Sequence, residues 1–145
     1  MATLIVIIVA LMGGIAAGLQ TQAMSVMTTR AGSLEAVFVA YGSGGFAIAL
    51  AMLAVRGGDL SELRGAPGWV YTAGLLGLVV VAAIGISAAE LGLARSMVLF
   101  TAALLGIGAV VDHFGWLGAT TRTIDLPRVA GLALVLVGTW MVVRN

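Results

Sequence analysis

The side chains able to do acid–base, metal or nucleophilic chemistry are few: seven basic residues, all of them Arg, six carboxylates, one His and no Cys. Without a thiol there is no Cys nucleophile, no redox pair and no thiolate metal site, and one His cannot hold a metal by itself. No nucleophile stands beside a base, and no phosphate loop of the GxxxxGK[ST] kind occurs. The expectation is therefore no catalytic residue, no metal and no cofactor, with an enzyme the least favoured class. What the ionisable residues have is position. Asp112 and His113 are adjacent, run into Phe114-Gly115, and precede Arg122 and Arg128. Glu35, Glu90 and Arg95 each stand in a long uncharged stretch, where a charge is costly and counts as functional until a cheaper role is found.

The elements that carry these residues follow from composition. The 145 residues are 61% hydrophobic and 9% charged, against about 45–50% and about 25% in soluble domains. So few charges cannot clothe a water-facing surface, and disorder needs the opposite balance. A net charge of +1 suits no nucleic acid. The solvent that fits is lipid.

Crossing the hydrocarbon takes about 20 mostly apolar residues as a helix. Five such helices are expected, at about 3–20, 34–55, 68–86, 88–111 and 127–143, in a single membrane domain over residues 1–145. The Arg56–Pro67 connection gathers Arg56, Asp59, Glu62 and Arg64. Ser33 is expected to cap the second helix and Asp125, with Pro127, the fifth. The Ser87-Ala88-Ala89-Glu90 sequence reads as a capping box that opens the fourth, with the turn before it near Ser87. Trp69, Tyr71, Trp116 and Trp140 fall near span ends, where amphipathic rings sit at headgroup level. The first span lacks the basic leader of a signal peptide and is read as retained.

Weighed one by one, most polar residues have a plain role. Glu35 and Glu90, each placed in a first turn, suit the helix dipole. Arg95 then lies seven residues beyond Ala88, about 10 Å along its helix, from where it either snorkels or offers an anion site at a dimer axis. Gln20, Tyr41 with its neighbour Ser43, and Arg95 are the candidates for substrate contact. Asp112 opposes the dipole of its helix and needs a partner in Arg122, Arg128 or a backbone donor. Asp112, His113, Phe114, Gly115 and Arg122 are thus read first as a knot tying the loop to the helix end, and second as a gate or proton relay. Glycine, at 21 residues, is enriched and clustered. Gly14, Gly18, Gly74, Gly77, Gly131 and Gly138 are expected to pack helices closely, while Gly42 to Gly45 offer a hinge or room for a ligand.

Five crossings leave the two ends of the chain on opposite sides. Arg56, Arg64, Arg122 and Arg128 then share the amino-terminal side, and Arg30, Arg95 and Arg144 the other. Positive loops stay in the cytoplasm, and four against three gives that rule almost nothing to act on. Copies inserted both ways could pair as an antiparallel, inverted ten-helix dimer, with a site at its midplane and alternating access by rocking. A channel or a scaffold for membrane assembly is the rival; a channel would show rings of charged or carbonyl groups that are not evident.

Gly14 and Gln20, Gly32-Ser33, Gly74-Leu75-Leu76-Gly77 and Leu91-Gly92 resemble the YdcZ-like family of five-helix membrane proteins. Asp112-His113-Phe114-Gly115, Arg122, Arg128 and Gly131 resemble it most specifically. The resemblance covers nearly the whole chain and implies the drug/metabolite transporter superfamily: an exporter of small organic molecules in a bacterial inner membrane. As partners it implies a second, antiparallel copy or a paired homologue. The sequence departs from the resemblance at Met24 and Leu104, where Asn and Gln are expected, which implies a more apolar cavity or a specialised half of a pair.

Overall fold

The computed structural model describes residues 2–57, 60–63 and 65–144. Asp59 and Arg64 lie outside the described residues, as do the side chains of Arg56 and Glu62. The described chain is all-α: α1 (Ala2–Ala31), α2 (Ser33–Arg56), α3 (Ala73–Leu91), α4 (Leu93–Phe114) and α5 (Leu126–Val143), with short 3-10 turns at Ser61–Leu63, Gly68–Thr72 and Trp116–Gly118. All five helices are long and apolar enough to cross a membrane.

Three boundaries depart from the sequence reading. The first helix does not stop at Gln20; it continues to Ala31, because the rise in polarity after Gln20 brings no Gly or Pro to break the hydrogen-bond ladder. At 30 residues it is about 45 Å long, more than the about 30 Å of hydrocarbon. Ser33 is the first residue of α2 and Gly32 holds the cap position, at φ 107° and ψ 162°. The turn expected near Ser87 lies instead at Gly92, at φ 84° and ψ 159°. Two helices joined by a single residue need a backbone conformation open essentially to Gly alone. Ser87 sits inside α3 and turns its hydroxyl back to the Ile84 carbonyl at 3.3 Å. Glu90 therefore belongs to the last turn of α3, not the first of α4, and Arg95 is in the first turn of α4, not 10 Å along it. Both charges stand against their helix dipoles. Glu35 does lie in the first turn of α2, with its carboxylate folded back beside Gly32.

The chain divides into two compact units, one running to Glu90 and the other from Leu91. In the first, Met24 of α1, Ala36 of α2 and Val81 of α3 form a small buried cluster, with Met27, Val37 and Ala40 packed on it. Gly85 of α3 makes this possible: a Cβ there would stand 2.8 Å from Thr28 Oγ1 and 3.4 Å from the Met24 side chain. Polar groups hide by bonding to their own helix, Thr21 Oγ1 to the Ala17 carbonyl and Ser43 Oγ to that of Val39, each at 2.7 Å. Among the described residues Thr28 departs from this, its Oγ1 buried with no hydrogen-bond partner.

In the second unit α4 and α5 pack on each other. Asp125 caps α5 as expected, its carboxylate accepting from the Arg128 amide at 3.0 Å, with Pro127 in the first turn. Thr139 Oγ1 donates to the Val135 carbonyl at 2.7 Å. At the far end the Arg144 guanidinium lies 4.6 Å from the Trp140 ring, an amphipathic pair of the kind found where lipid meets water.

Two outcomes are expected from thermal unfolding in detergent. Gly92→Ala costs about 1–3 kcal/mol through its backbone, while Ser87→Ala is near neutral; the opposite order would restore the turn to Ser87. Thr28→Val, which keeps shape and removes an unpaired hydroxyl, is neutral or stabilising.

Candidate functional site

The period of α2 sets Ala40, Tyr41, Gly44, Gly45 and Ile48 along one face. Together with Gln20 of α1 and Val81 of α3 they line a cavity of about 320 Å³ in the first unit. Gly44 and Gly45 create the space: a Cβ on either would touch nothing within 4 Å. Gln20 brings an amide that can donate and accept, and Tyr41 a hydroxyl that can do both. The Tyr41 hydroxyl lies over Gly77 of α3, so close that any side chain there would displace it. No hydrogen bond from that hydroxyl is found among the described residues. The cavity is thus apolar with two polar groups in its lining, one from α1 and one from α2, a chemistry suited to an uncharged or weakly polar organic molecule.

Of the four residues expected to contact substrate, Gln20 and Tyr41 come together here. Ser43 does not line the cavity and is occupied by the Val39 carbonyl. Arg95 belongs to the second unit, half-buried in the first turn of α4. Among the six packing glycines, only Gly77 has a neighbour that a Cβ would meet; at Gly14, Gly18, Gly74, Gly131 and Gly138 there is open space. Gly85 performs the close approach in their place. The sequence did carry a signal for it, since Gly85 and Ala89 form a small-xxx-small pair, but a search among glycines alone passes over it.

The second constellation sits where α4 ends. Arg128 Nη2 and Asp112 Oδ2 are 2.8 Å apart. Arg128 Nη1 donates to the Arg122 carbonyl at 3.2 Å, and the Arg122 amide to the Asp112 carbonyl at 2.8 Å. His113 Nδ1 accepts from the Ile124 amide at 3.2 Å. The result ties the end of α4, the loop after it and the start of α5 in one network. Arg128, of the partners open to Asp112, takes the carboxylate, and Arg122 contributes backbone only. Phe114 stacks on Trp116 with ring centres 5.1 Å apart and meets His113 edge-on at 4.9 Å. Gly115, at φ 63°, ends α4, and a Cβ on it would stand 2.6 Å from Thr121 Oγ1. Leu117 takes a left-handed conformation at φ 58°, uncommon for a side chain of its size.

The sequence profile of a family described as “Putative inner membrane exporter, YdcZ” matches residues 5–141. The chain belongs to this family. No curated protein and no solved structure is a significant match. With five helices fit to cross a membrane, this member of the YdcZ family is integral to the inner membrane. The match runs through both constellations, the Gln20–Tyr41 cavity and the Asp112–Arg128 network.

Both partners of the ion pair keep more than a third of their side chains exposed, 38% for Arg128 and 36% for Asp112, so the pair itself is worth at most about 1 kcal/mol. Asp112→Asn should therefore lower stability only slightly. Gly115→Ala, which meets both a left-handed backbone and Thr121, should cost about 1–2 kcal/mol or more. Chemical denaturation of the two variants side by side checks the ranking.

Proposed function

We propose that the protein exports a small organic molecule by alternating access, as an antiparallel dimer of copies inserted in opposite orientations. Membership of an inner-membrane exporter family supports export. The observation that carries the substrate site is the first-unit cavity, where Gln20 and Tyr41 present polar groups in apolar surroundings. In this reading Gln20 and Tyr41 orient the substrate, and Gly44 and Gly45 leave room for its body. Its polar lining holds an amide and a phenol but no ionisable carboxylate or guanidinium, which favours a neutral or weakly polar molecule over a strongly charged one. The dimer rests on a different observation: four Arg on one expected side and three on the other give little orienting bias. Two inverted copies supply the inverted-repeat symmetry that many transporters carry in one chain. The Asp112–Arg128 network serves as a structural tie and a candidate gate at the end of α4.

The absence of Cys makes the test clean. Single cysteines at Asn145 and in the Arg56–Pro67 loop are labelled with an impermeant thiol reagent in cells and in inverted membrane vesicles. Each site is expected to react in about half of the molecules from either side. Labelling of every copy from one side would sink the homodimer. For the site, Tyr41→Phe and Gln20→Leu should each abolish the thermal stabilisation that a transported compound confers on the detergent-solubilised protein.

A further inference from the structure

Two glycines of α3 admit a neighbouring side chain, and they differ in which one. Gly85 seats Thr28 and Met24, and Met24 belongs to the buried cluster. At Gly77 the three atoms nearest to an added Cβ all belong to Tyr41: the hydroxyl first, then Cζ at 3.2 Å and Cε1 at 3.6 Å. The bare backbone at 77 is thus a slot for one phenol, and that phenol lines the cavity of about 320 Å³ together with Gln20, Gly44 and Gly45.

Helices α1 and α3 run in step here. Met24 packs with Val81, and Thr28, one turn further on, meets Gly85, one turn further on. One turn in the other direction Gln20 comes level with Gly77, and Tyr41 reaches the same level from α2. The amide and the phenol therefore stand at one depth and in one cavity lining, yet neither side chain has a hydrogen bond among the described residues. Two such groups in apolar surroundings gain by bonding to each other. What holds Tyr41 away from that bond is the slot at Gly77, which keeps its ring on the α3 side.

Resting on the reading of this cavity as the substrate site, we propose that Gly77 is its positioning residue: it holds the Tyr41 phenol against α3, so that the hydroxyl and the Gln20 amide stay apart and both remain open to a ligand. A side chain at 77 removes the slot. The phenol then turns toward Gln20, since a hydroxyl turned to lipid finds no partner and the amide offers one. In doing so it takes up the space that the ligand would use. Gly77 acts through Tyr41 and touches no ligand itself.

The test uses the full chain in detergent with Gly45→Cys, which places a single thiol in the cavity lining of a protein without Cys, at a position where a Cβ meets nothing within 4 Å. Rate constants for methyl methanethiosulfonate and benzyl methanethiosulfonate are read from the mass of the intact protein. Their ratio reports the room at the thiol, because its thiolate fraction cancels. Gly77→Ala is expected to lower the benzyl-to-methyl ratio several-fold, and Gly74→Ala, whose Cβ meets nothing within 4 Å, to leave it unchanged. In a Tyr41→Ala background Gly77→Ala should leave the ratio unchanged as well, since the side chain it acts through is gone. An unchanged ratio on Gly77→Ala alone overturns the inference, as does a rise, which would place the phenol outside the cavity. An equal fall for Gly74→Ala, or in the Tyr41→Ala background, also overturns it, because an added methyl would then act on helix spacing alone. Should Gly77→Ala prevent folding, recovery of folded protein on adding Tyr41→Ala supports the slot, and continued failure overturns it. The readout needs no transport, so its failure leaves the export reading standing, and loss of the export reading leaves the Tyr41–Gly77 slot to be judged by the same ratios.

Discussion

Hydrogen-bonding groups in hydrocarbon have no water to turn to, and that single constraint shapes nearly everything in this chain. It makes every crossing element a helix, and it makes hydroxyls bond to the carbonyl a turn behind them, as Thr21, Ser43 and Thr139 do. It also confines irregular backbone to the ends of helices, where carboxylate caps, glycine or arginine can meet the freed groups. The loop between α4 and α5 shows the last case fully. Its Arg122 amide, its Ile124 amide and its Arg122 carbonyl all find partners on Asp112, His113 and Arg128. The Asp112-His113-Phe114-Gly115 stretch is best understood as the set of groups that lets a helix stop.

Lipid offers no hydrophobic force to drive helices together, so contact has to come from fit. In the first unit the fit is local and small: Met24 against Gly85, and Tyr41 over Gly77. Few side chains are buried outright, and large apolar residues along α1, such as Leu4, Val9 and Leu19, are more than 60% exposed. For a chain in water this would be a fault; in a bilayer such faces are simply solvated. The same logic explains why the Gln20–Tyr41 cavity survives, since the glycine cluster on α2 removes the side chains that would otherwise fill it.

The number of helices was legible because a run of about 20 apolar residues has few other meanings. Their ends were less so. Hydropathy marks where lipid ends, and α1 shows that a helix need not end there. The capping-box pattern at Ser87 misled because Ser–x–x–Glu also occurs inside helices, whereas the Gly92 turn depends on a torsion angle that a lone glycine letter does not announce. Asp125 was legible because a Pro two residues on suits the first turn of a helix and the carboxylate its cap. In the cavity, the polarity of Gln20 and Tyr41 drew notice, but the pairing of Tyr41 with Gly77 depends on how α2 and α3 pack. Arg122 and Arg128 were equal candidates for Asp112 on paper, and geometry separated them.

The two single-glycine junctions carry a consequence for how such a chain can change over time. At Gly32 and Gly92 one helix passes into the next with nothing between, so there is no slack in which a residue can be gained or lost without turning the following helix by about 100° and presenting a different face. Growth and shrinkage are left to the connections between α2 and α3 and between α4 and α5, whose described residues form only turns and short 3-10 segments. Length variation among descendants of such a protein should therefore collect in those two segments, while the helical pairs around Gly32 and Gly92 are inherited as fixed-length blocks.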